Sequence, residues 1–433
     1  MEISSNIRKL ADDKSIKLFF VICWVTYFST YIGRLNFTAS MADMIEREGF
    51  TKSQMGLVAA AFFLAYGIGQ FASGILGDKV NPRRLIFTGV AGSAAVNLIM
   101  GISSTYRIMV VLWFVNGLLQ SLTWSPISRI VTDRLPEKRC VKAFVDLSTT
   151  VPVGTLLTYY ICSLSIKYLN WRVSFYFASI FMMAVALIWN VTIKRLEDRA
   201  DRFGVIENMH IHREKESGNN QSIVSQSRFQ AGKIIFGSGL IFILLAAMLH
   251  GILKDGIMSW VPTYLTEGFK TGVAFSVQLA MLLPVVNLLG VYLSSYLNKR
   301  LFKNELITAG CFFVFTVIAL MVLVQFGSRS LILSVAMLMV ITSSMLGVNT
   351  MLVSLVPLHF KRFGKVSTVC GALNSTTYLG SAVSSYGFGA MAQKFGWAFT
   401  RVSWFFLAAL GLIFCLAVGG KWHRFSVDEK EDG

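Results

Sequence analysis

The chain has 433 residues; 54% are hydrophobic, 15% are charged, and the mean hydropathy is +0.60. Soluble domains carry about 25% charged residues, so a chain this apolar lacks the polar side chains to cover a water-facing surface. An ordinary soluble enzyme, a disordered chain and a small disulfide scaffold are excluded, and the net charge of +17 has to be explained within an integral membrane protein.

A membrane-spanning helix needs about 20 mostly apolar residues, and twelve segments meet that length. The first, roughly 18–42, carries Tyr27, Tyr31 and Arg34. It is too long for a signal-peptide core and has no clear A-x-A cleavage site, so it is expected to be retained. The second, 53–77, carries Tyr66 and Gln70, and a short loop from Gly74 to Arg84 follows it. The third is 85–103; the fourth, 108–128, holds Gln120; the fifth, 143–166, holds Asp146; the sixth is 173–193. A polar stretch, 194–233, contains HIHREKESGNNQSIVSQS and reads as a flexible cytoplasmic linker whose His210 and His212 are solvated. The seventh segment, 234–260, carries His250, Lys254 and Asp255. The remaining five run over 273–297, 305–326, 330–354, 366–390 and 399–420, with a tail at 421–433. The expected fold class is therefore all-α integral membrane, with twelve transmembrane helices in two six-helix bundles, 1–193 and 234–420.

Orientation follows from the basic residues. With the N-terminus in the cytoplasm, 29 Lys/Arg fall in the inside segments and 9 in the outside loops. The positive-inside rule then puts both termini and the linker in the cytoplasm. The same distribution accounts for the net charge without nucleic acid, because the cations sit in short clusters between apolar runs. Six cysteines (Cys23, Cys140, Cys162, Cys311, Cys370, Cys415) show no C-x-x-C and no metal-ligand spacing. Neither a disulfide framework nor a metal or cofactor is expected.

A weak internal repeat joins the halves. Glu48-Gly49-Phe50 recurs as Glu267-Gly268-Phe269, Asn170-Trp171 as Gly396-Trp397, and Gly69 as Gly290, at near-constant offsets. Paired bundles of this kind hold their substrate between the halves near the bilayer midplane.

With Arg401, at the very start of the last span, counted among the outside cations, two cations remain inside the expected spans, Arg34 and Lys254, in equivalent places of the two halves. A cation at mid-membrane costs about 2.5–3.5 kcal/mol on insertion scales, so it faces a cavity or a partner. One from each half suits an anion, and a phosphate above all: Arg binds it bidentately and Lys acts as a point charge. Tyr27 and Tyr31 share a helical face with Arg34, and their phenols are candidates for orienting an oxyanion. Tyr66, Gln70 and Gln120 are buried polar groups that a polar substrate would satisfy. Asp146 is a coupling candidate. Asp255 neighbours Lys254 and is a potential counter-ion, although adjacent helical residues point to different sides. His250, one turn before Lys254, reads as a packing residue. In the loop, Gly74, Asp78, Arg83 and Arg84 carry packing and gating chemistry.

These residues resemble the major facilitator superfamily. G-x-x-x-D-K-x-x-P-R-R over Gly74 to Arg84 looks like its signature loop, and in the second half Lys299 stands where the acid would be. More narrowly, the chain is similar to the organophosphate:phosphate antiporter family, on Y-x-x-x-Y-x-x-R-x-N-F (Tyr27 to Phe37), A-Y-G (Ala65 to Gly67) and G-x-x-Q with W-x-P (Gly117 to Pro126). G-x-x-x-W-x-P-T-Y-L (Gly256 to Leu265) and Y-L-G (Tyr378 to Gly380) extend the likeness over essentially all twelve spans. The resemblance implies that Arg34 and Lys254 are the substrate-phosphate cations, and adds Tyr378 and Thr149 to the substrate site. It also shows departures. Lys254 stands where the bacterial glycerol-3-phosphate carrier usually has Arg, Gln70 replaces a Lys, Thr149 falls near a His, and Leu346 near a Tyr. Asp146 and Asp255 are added acids, so the cationic site is weaker than in the best-known members.

The resulting expectation is a monomeric secondary transporter in the plasma or inner membrane. It would exchange a small anionic substrate, a phosphorylated metabolite, for inorganic phosphate. The alternative is a proton-coupled symporter of an unphosphorylated organic anion such as a sugar acid, with Asp146 or Asp255 titrating. A membrane sensor of the kind the family includes ranks lower, and the paired cations argue against drug efflux.

Overall fold

The computed structural model describes residues 9–203, 239–363 and 366–431. Helices dominate because in lipid every backbone N–H and C=O has to be satisfied within its own segment. The first half comprises α1 (Asp13–Glu48), α2 (Lys52–Lys79), α3 (Pro82–Ile102), α4 (Tyr106–Arg134), α5 (Glu137–Ser148), α6 (Thr150–Tyr168) and α7 (Trp171–Phe203). The second comprises α8 (Leu240–Phe269), α9 (Val273–Ala280), α10 (Leu283–Leu297), α11 (Glu305–Phe326), α12 (Leu331–Asn349) and α13 (Val366–Glu431). Short π and 3-10 segments connect α10 to α11 (Asn298–Phe302) and follow α12 (Thr350–Leu355, Val356–Phe363).

Ten stretches among the described residues are long and apolar enough to cross a membrane. The last of them runs through Gly396, whose φ of 77° is not helical, so α13 is two helices joined at a bend. Two expected spans are each split instead: α5 gives way to α6 at Thr149, and α9 to α10 at Met281–Leu282. Pro284 lies in the first turn of α10, where its missing N–H costs nothing. Two other bounds need correcting. α7 continues to Phe203, so the expected linker begins as helix; from residue 204 to 238 it lies outside the described residues. The tail likewise continues α13 to Glu431.

The outer surface is apolar. Ile180, Leu289, Ile332 and Phe406 are more than 60% exposed, as lipid-facing side chains should be. Between helices the contacts are close and partly polar, since lipid provides no hydrophobic drive for helix pairing. Gly69 and Gly290 do the same work in the two halves. The first lets α2 close on Ser121 of α4, and the second lets α10 close on the Ser343 carbonyl of α12.

The repeat noticed in the sequence is a repeated hydrogen bond. In the first half Trp171 Nε1 donates to Glu48 Oε1 at 3.3 Å; in the second Trp397 Nε1 donates to Glu267 Oε2 at 2.7 Å. A carboxylate at the end of the first helix thus holds the indole at the start of the sixth. At the opposite end Asn81 caps α3 and Asn304 caps α11. There Trp189 donates to the Arg83 carbonyl and Trp422 to Glu305 Oε2. Glu305 also meets His359 at 3.3 Å, so an acid does anchor this corner of the second half, at the start of α11 rather than at Lys299.

The halves meet mainly through α2 against α13, with α1 on α8 and α6 on α9. Lys52 pairs with Glu267 at 2.9 Å, and both N–H and Oγ of Ser53 donate to Gln393 Oε1. Gly56 abuts the Ser385 carbonyl, while Ser163 Oγ donates to the Ala274 carbonyl. Glu48 and Glu267 differ in one respect that matters. Glu48 has its cation, Arg172, in its own half at 3.0 Å, whereas Glu267 takes Lys52 from the other half. The second acid therefore seals the molecule at this end. Ion pairs at the other end, Arg83–Glu197 and Arg139–Asp13, each stay within one half.

Candidate functional site

Position along the helices puts the candidate residues at one level. Arg34 is 14 residues before Glu48 on α1, and Tyr66 is 14 residues after Lys52 on α2. Lys254 precedes Glu267 by 13 residues on α8, and Tyr378 precedes Gln393 by 15 on α13. At 1.5 Å per residue each lies about 20 Å from the sealed end. That depth falls within the middle of a hydrocarbon layer about 30 Å thick.

The Arg34 guanidinium sits over the Tyr31 ring, 3.9 Å from its centroid, and 5.8 Å from that of Tyr66. No carboxylate pairs with it among the described residues. Cation–π contact of this kind stabilises a desolvated cation by about 0.5–2 kcal/mol without neutralising it. Tyr31 Oη donates to Tyr27 Oη at 3.4 Å, and the Tyr27 ring packs edge-on against Tyr31 and at a tilt against Trp124, with centroids 4.8 Å apart. Tyr27, Tyr31 and Arg34 therefore form one stack. Gln70, half-buried one turn beyond Tyr66, and Arg34 both approach the Tyr66 hydroxyl.

Tyr66 meets Tyr378 edge-to-face, with centroids 5.0 Å apart. Gly67 leaves room for this contact, since a Cβ there would lie 3.1 Å from that of Tyr378. The A-Y-G and Y-L-G motifs are thus the two sides of one contact between the halves. The Tyr378 phenol lies within electrostatic reach of both Arg34 and Asp255. Beyond it, Lys254 Nζ is 3.3 Å from Asp255 Oδ1, and Ser381 Oγ donates to Asp255 Oδ2 at 2.6 Å. The helical argument against an adjacent pair was wrong here. Both side chains are long enough to curl back to one another, and each keeps about a fifth of its surface exposed.

Other expected residues lie elsewhere. Gln120 is fully buried, and its amide donates to Ser93 at 3.1 Å in a network between α3 and α4. In the same network Ser93 donates to Asn116, Asn36 to Asn97 at 2.8 Å, and both Asn97 and Asn116 to the Gly33 carbonyl. This cluster positions Arg34 through the residue before it. Sequence reasoning missed it, although three asparagines inside apolar spans were the signal. Asn97→Leu leaves Asn36 and the Gly33 carbonyl short of a partner. The expected loss is about 1–3 kcal/mol, read as a lower melting temperature in detergent.

Thr149 is exposed at the α5–α6 break and accepts from Trp24 Nε1 at 2.9 Å; Asp146 is half-buried on α5. His250 is fully buried one turn before Lys254. Arg83 binds Glu197 on α7, tying α3 to the sixth span, and Arg84 is exposed. Gly74 and Asp78 lie on α2 where the side chains are outside the described residues. Arg401, counted above with the outer-loop cations, is 6% exposed within α13 and donates to Tyr264 Oη and the Leu323 carbonyl. It is a further cation within a span, more deeply buried than Arg34 or Lys254 and near the sealed end. A cleft of about 480 Å³ also lies at that end, between Glu46 of α1, Thr263 of α8 and Lys270 just beyond α8, far from Arg34.

Known proteins share the architecture that carries these residues. Residues 23–385 match the model of the Major Facilitator Superfamily. A probable hexose phosphate transport protein of Chlamydia muridarum is 24% identical over 95% of this chain and 94% of its own length. A glycerol-3-phosphate transporter of Bacillus subtilis is 23% identical over 68% of this chain and 67% of its own. In fold, the chain resembles a bacterial homologue of the human lysosomal transporter Spinster in an inward-facing, occupied conformation. The TM-score is 0.71 at 15% identity, covering 97% of this chain and 94% of the other. The names of the sequence relatives are consistent with the organophosphate:phosphate antiporter family.

Proposed function

The chain belongs to the Major Facilitator Superfamily, and within it we propose that it carries a phosphorylated organic anion across the membrane in exchange for inorganic phosphate. It is a multi-pass membrane transporter and not an enzyme. One observation carries the proposal: a single cation from each half, Arg34 and Lys254, at the same mid-membrane depth on either side of the Tyr66–Tyr378 contact. A phosphate bridging the two cations binds more tightly when the halves close on it, and that differential affinity drives the rocking of alternating access. The distribution of basic residues supports cytoplasmic termini, and on that reading the Lys52–Glu267 end faces outward. The membrane is then the plasma or inner membrane, and the carrier works as a monomer.

The experiment is counterflow in proteoliposomes. Vesicles loaded with inorganic phosphate should take up labelled glucose 6-phosphate or glycerol 3-phosphate, and a protonophore should not stop it. No phosphate-driven uptake of any phosphate ester would overturn the proposal. A second reading, proton-coupled uptake of an unphosphorylated organic anion such as a sugar acid, is favoured by the carboxylate of Asp255 beside Lys254. It requires uptake of sugar acids that collapses with the pH gradient.

A further inference from the structure

The cleft at the sealed end takes its walls from both halves. Ile45 and Glu46 come from α1; Thr263 and Thr266 come from α8, with Lys270 and Thr271 just beyond it. Its volume of about 480 Å³ falls within the range of about 300–1,000 Å³ typical of small-molecule sites. Thr263, in the W-x-P-T-Y-L motif, is 1% exposed, and its Oγ1 has no hydrogen-bond partner among the described residues. Buried hydroxyls are normally paired, so one that lines a cleft without a partner points to a ligand. A second feature marks the same wall. Lys270 ends α8 in the left-handed region (φ 52°, ψ 34°), where the matching end of α1 has Gly49 (φ 71°). Glycine adopts that conformation freely and lysine only under strain, yet this end of α8 carries an ammonium to the cleft.

Donors and acceptors select the ligand. Thr266 Oγ1 donates to the Pro262 carbonyl at 2.9 Å and Thr271 Oγ1 to the Leu265 carbonyl at 3.0 Å, so both hydroxyls have spent their protons and can only accept. The Glu46 carboxylate also only accepts, Lys270 only donates, and Thr263 can do either. Glu267, on the same wall, is already paired with Lys52 at 2.9 Å and accepts from Trp397 at 2.7 Å. Glu46 and Lys270 remain, one charge of each sign, and neither forms an ion pair among the described residues. The fixed charge is therefore balanced, and a phosphate dianion would meet Glu46 with no second cation to offset it. We infer that this cleft binds a neutral polyhydroxylated molecule, a sugar or polyol without a phosphate. Its hydroxyls donate to Glu46, Thr266 and Thr271 and accept from Lys270, and its carbon face lies on Ile45.

Such a ligand touches α1 of one half and α8 of the other, so it fits while this end is closed and not when the halves part. Thr263 lies one turn before Glu267, the acid that Lys52 reaches from the other half. A ligand shifts an equilibrium toward the state it prefers. Binding therefore holds the Lys52–Glu267 seal and withdraws carriers from the cycle, which makes the sugar an inhibitor and not cargo. The site does not depend on the reading of Arg34 and Lys254 as the phosphate site.

The test measures equilibrium binding of radiolabelled glucose and sucrose to the purified full-length carrier, in a detergent whose headgroup is not a sugar. It adds phosphate exchange in proteoliposomes with the same sugars on the sealed side. Wild type should bind one sugar per chain saturably, and exchange should fall as that site fills. Thr263→Val removes the hydroxyl and keeps the shape. It should weaken sugar binding about tenfold, the loss of one buried hydroxyl's hydrogen bonding. Without sugar, its melting temperature should match or exceed that of wild type, because an unpaired buried hydroxyl is gone, and its exchange should be unchanged. Lys270→Gly keeps the left-handed turn and removes the ammonium; it should also lose sugar binding, and it serves if the valine variant does not fold. No saturable binding of either sugar, or binding that both variants retain, overturns the inference and leaves the transport reading standing. Sugar binding that leaves exchange at its full rate overturns the inhibitory role. Sugar binding in a carrier that exchanges no phosphate overturns the transport reading and supports this site.

Discussion

Arg34→Ala abolishes uptake of the true substrate while the protein stays folded in the membrane, and Lys254→Ala does the same at a greater cost in stability. The difference follows from the partners. Arg34 is largely withdrawn from solvent and met by phenol rings, with no acid opposite among the described residues. Its removal relieves a burial cost of about 2.5–3.5 kcal/mol and forfeits about 0.5–2 kcal/mol of cation–π contact. The melting temperature of the variant in detergent should therefore match or exceed that of wild type. Charge-assisted hydrogen bonds to substrate contribute about 1.5–3 kcal/mol each, so losing a bidentate pair takes uptake to background. Arg34→Lys keeps the charge but not the planar fork, and should retain only about 1–10% of transport. Lys254→Ala strands the Asp255 carboxylate with Ser381 alone, so its melting temperature should fall. Adding Asp255→Ala should restore stability but not transport. Radiolabelled uptake together with thermal unfolding of the same purified variants checks each point. Normal uptake in Arg34→Ala would remove the residue from the site.

Gly56→Leu blocks transport without removing the binding site. Gly56 lies in the first turns of α2, about 15 Å along the helix from Tyr66. A Cβ there would sit 2.6 Å from the Ser385 carbonyl and 3.1 Å from the Tyr386 Cα, both of the opposite half. Backbone cannot move aside as a side-chain tip can. α2 and α13 have to part, and the Lys52–Glu267 and Ser53–Gln393 contacts part with them. Overpacking costs about 1–3 kcal/mol, a roughly 5- to 150-fold shift away from the sealed state. Uptake should fall by that factor or more while phosphate binding to the purified protein stays within a few-fold of wild type. Gly387→Leu is the control: it lies on α13, the helix that Gly56 meets, and nothing lies within 4 Å of a Cβ at that position. Equal uptake in the two variants would show that closure of this end is not part of the cycle.

Much of this protein was readable before any coordinates. Composition required a membrane, because 15% charged residues cannot clothe a soluble surface of this size. Apolar run length located the helices. The isolated positions of Arg34 and Lys254 singled out the candidate site, since an intramembrane cation is too costly to occur without a reason. Each of these signals is local, carried by the identity of a residue and its near neighbours along the chain.

What one sequence could not supply was which groups meet across helices. Gln120 looked like a substrate ligand until its amide was found on Ser93. Arg401 looked like a loop cation but is held inside by Tyr264 and Leu323. The repeated Glu and Trp motifs were visible as a pattern, yet only packing revealed that each Glu binds the Trp about 125 residues away, and that Lys52 crosses to one of them and not the other. The pairing of Lys254 with Asp255 turned on side-chain torsions that residue spacing leaves free. Hydropathy and charge act along the chain and leave their record in it. Hydrogen bonds between spans depend on rotation, depth and the company of distant segments, and these exist only once the helices have packed.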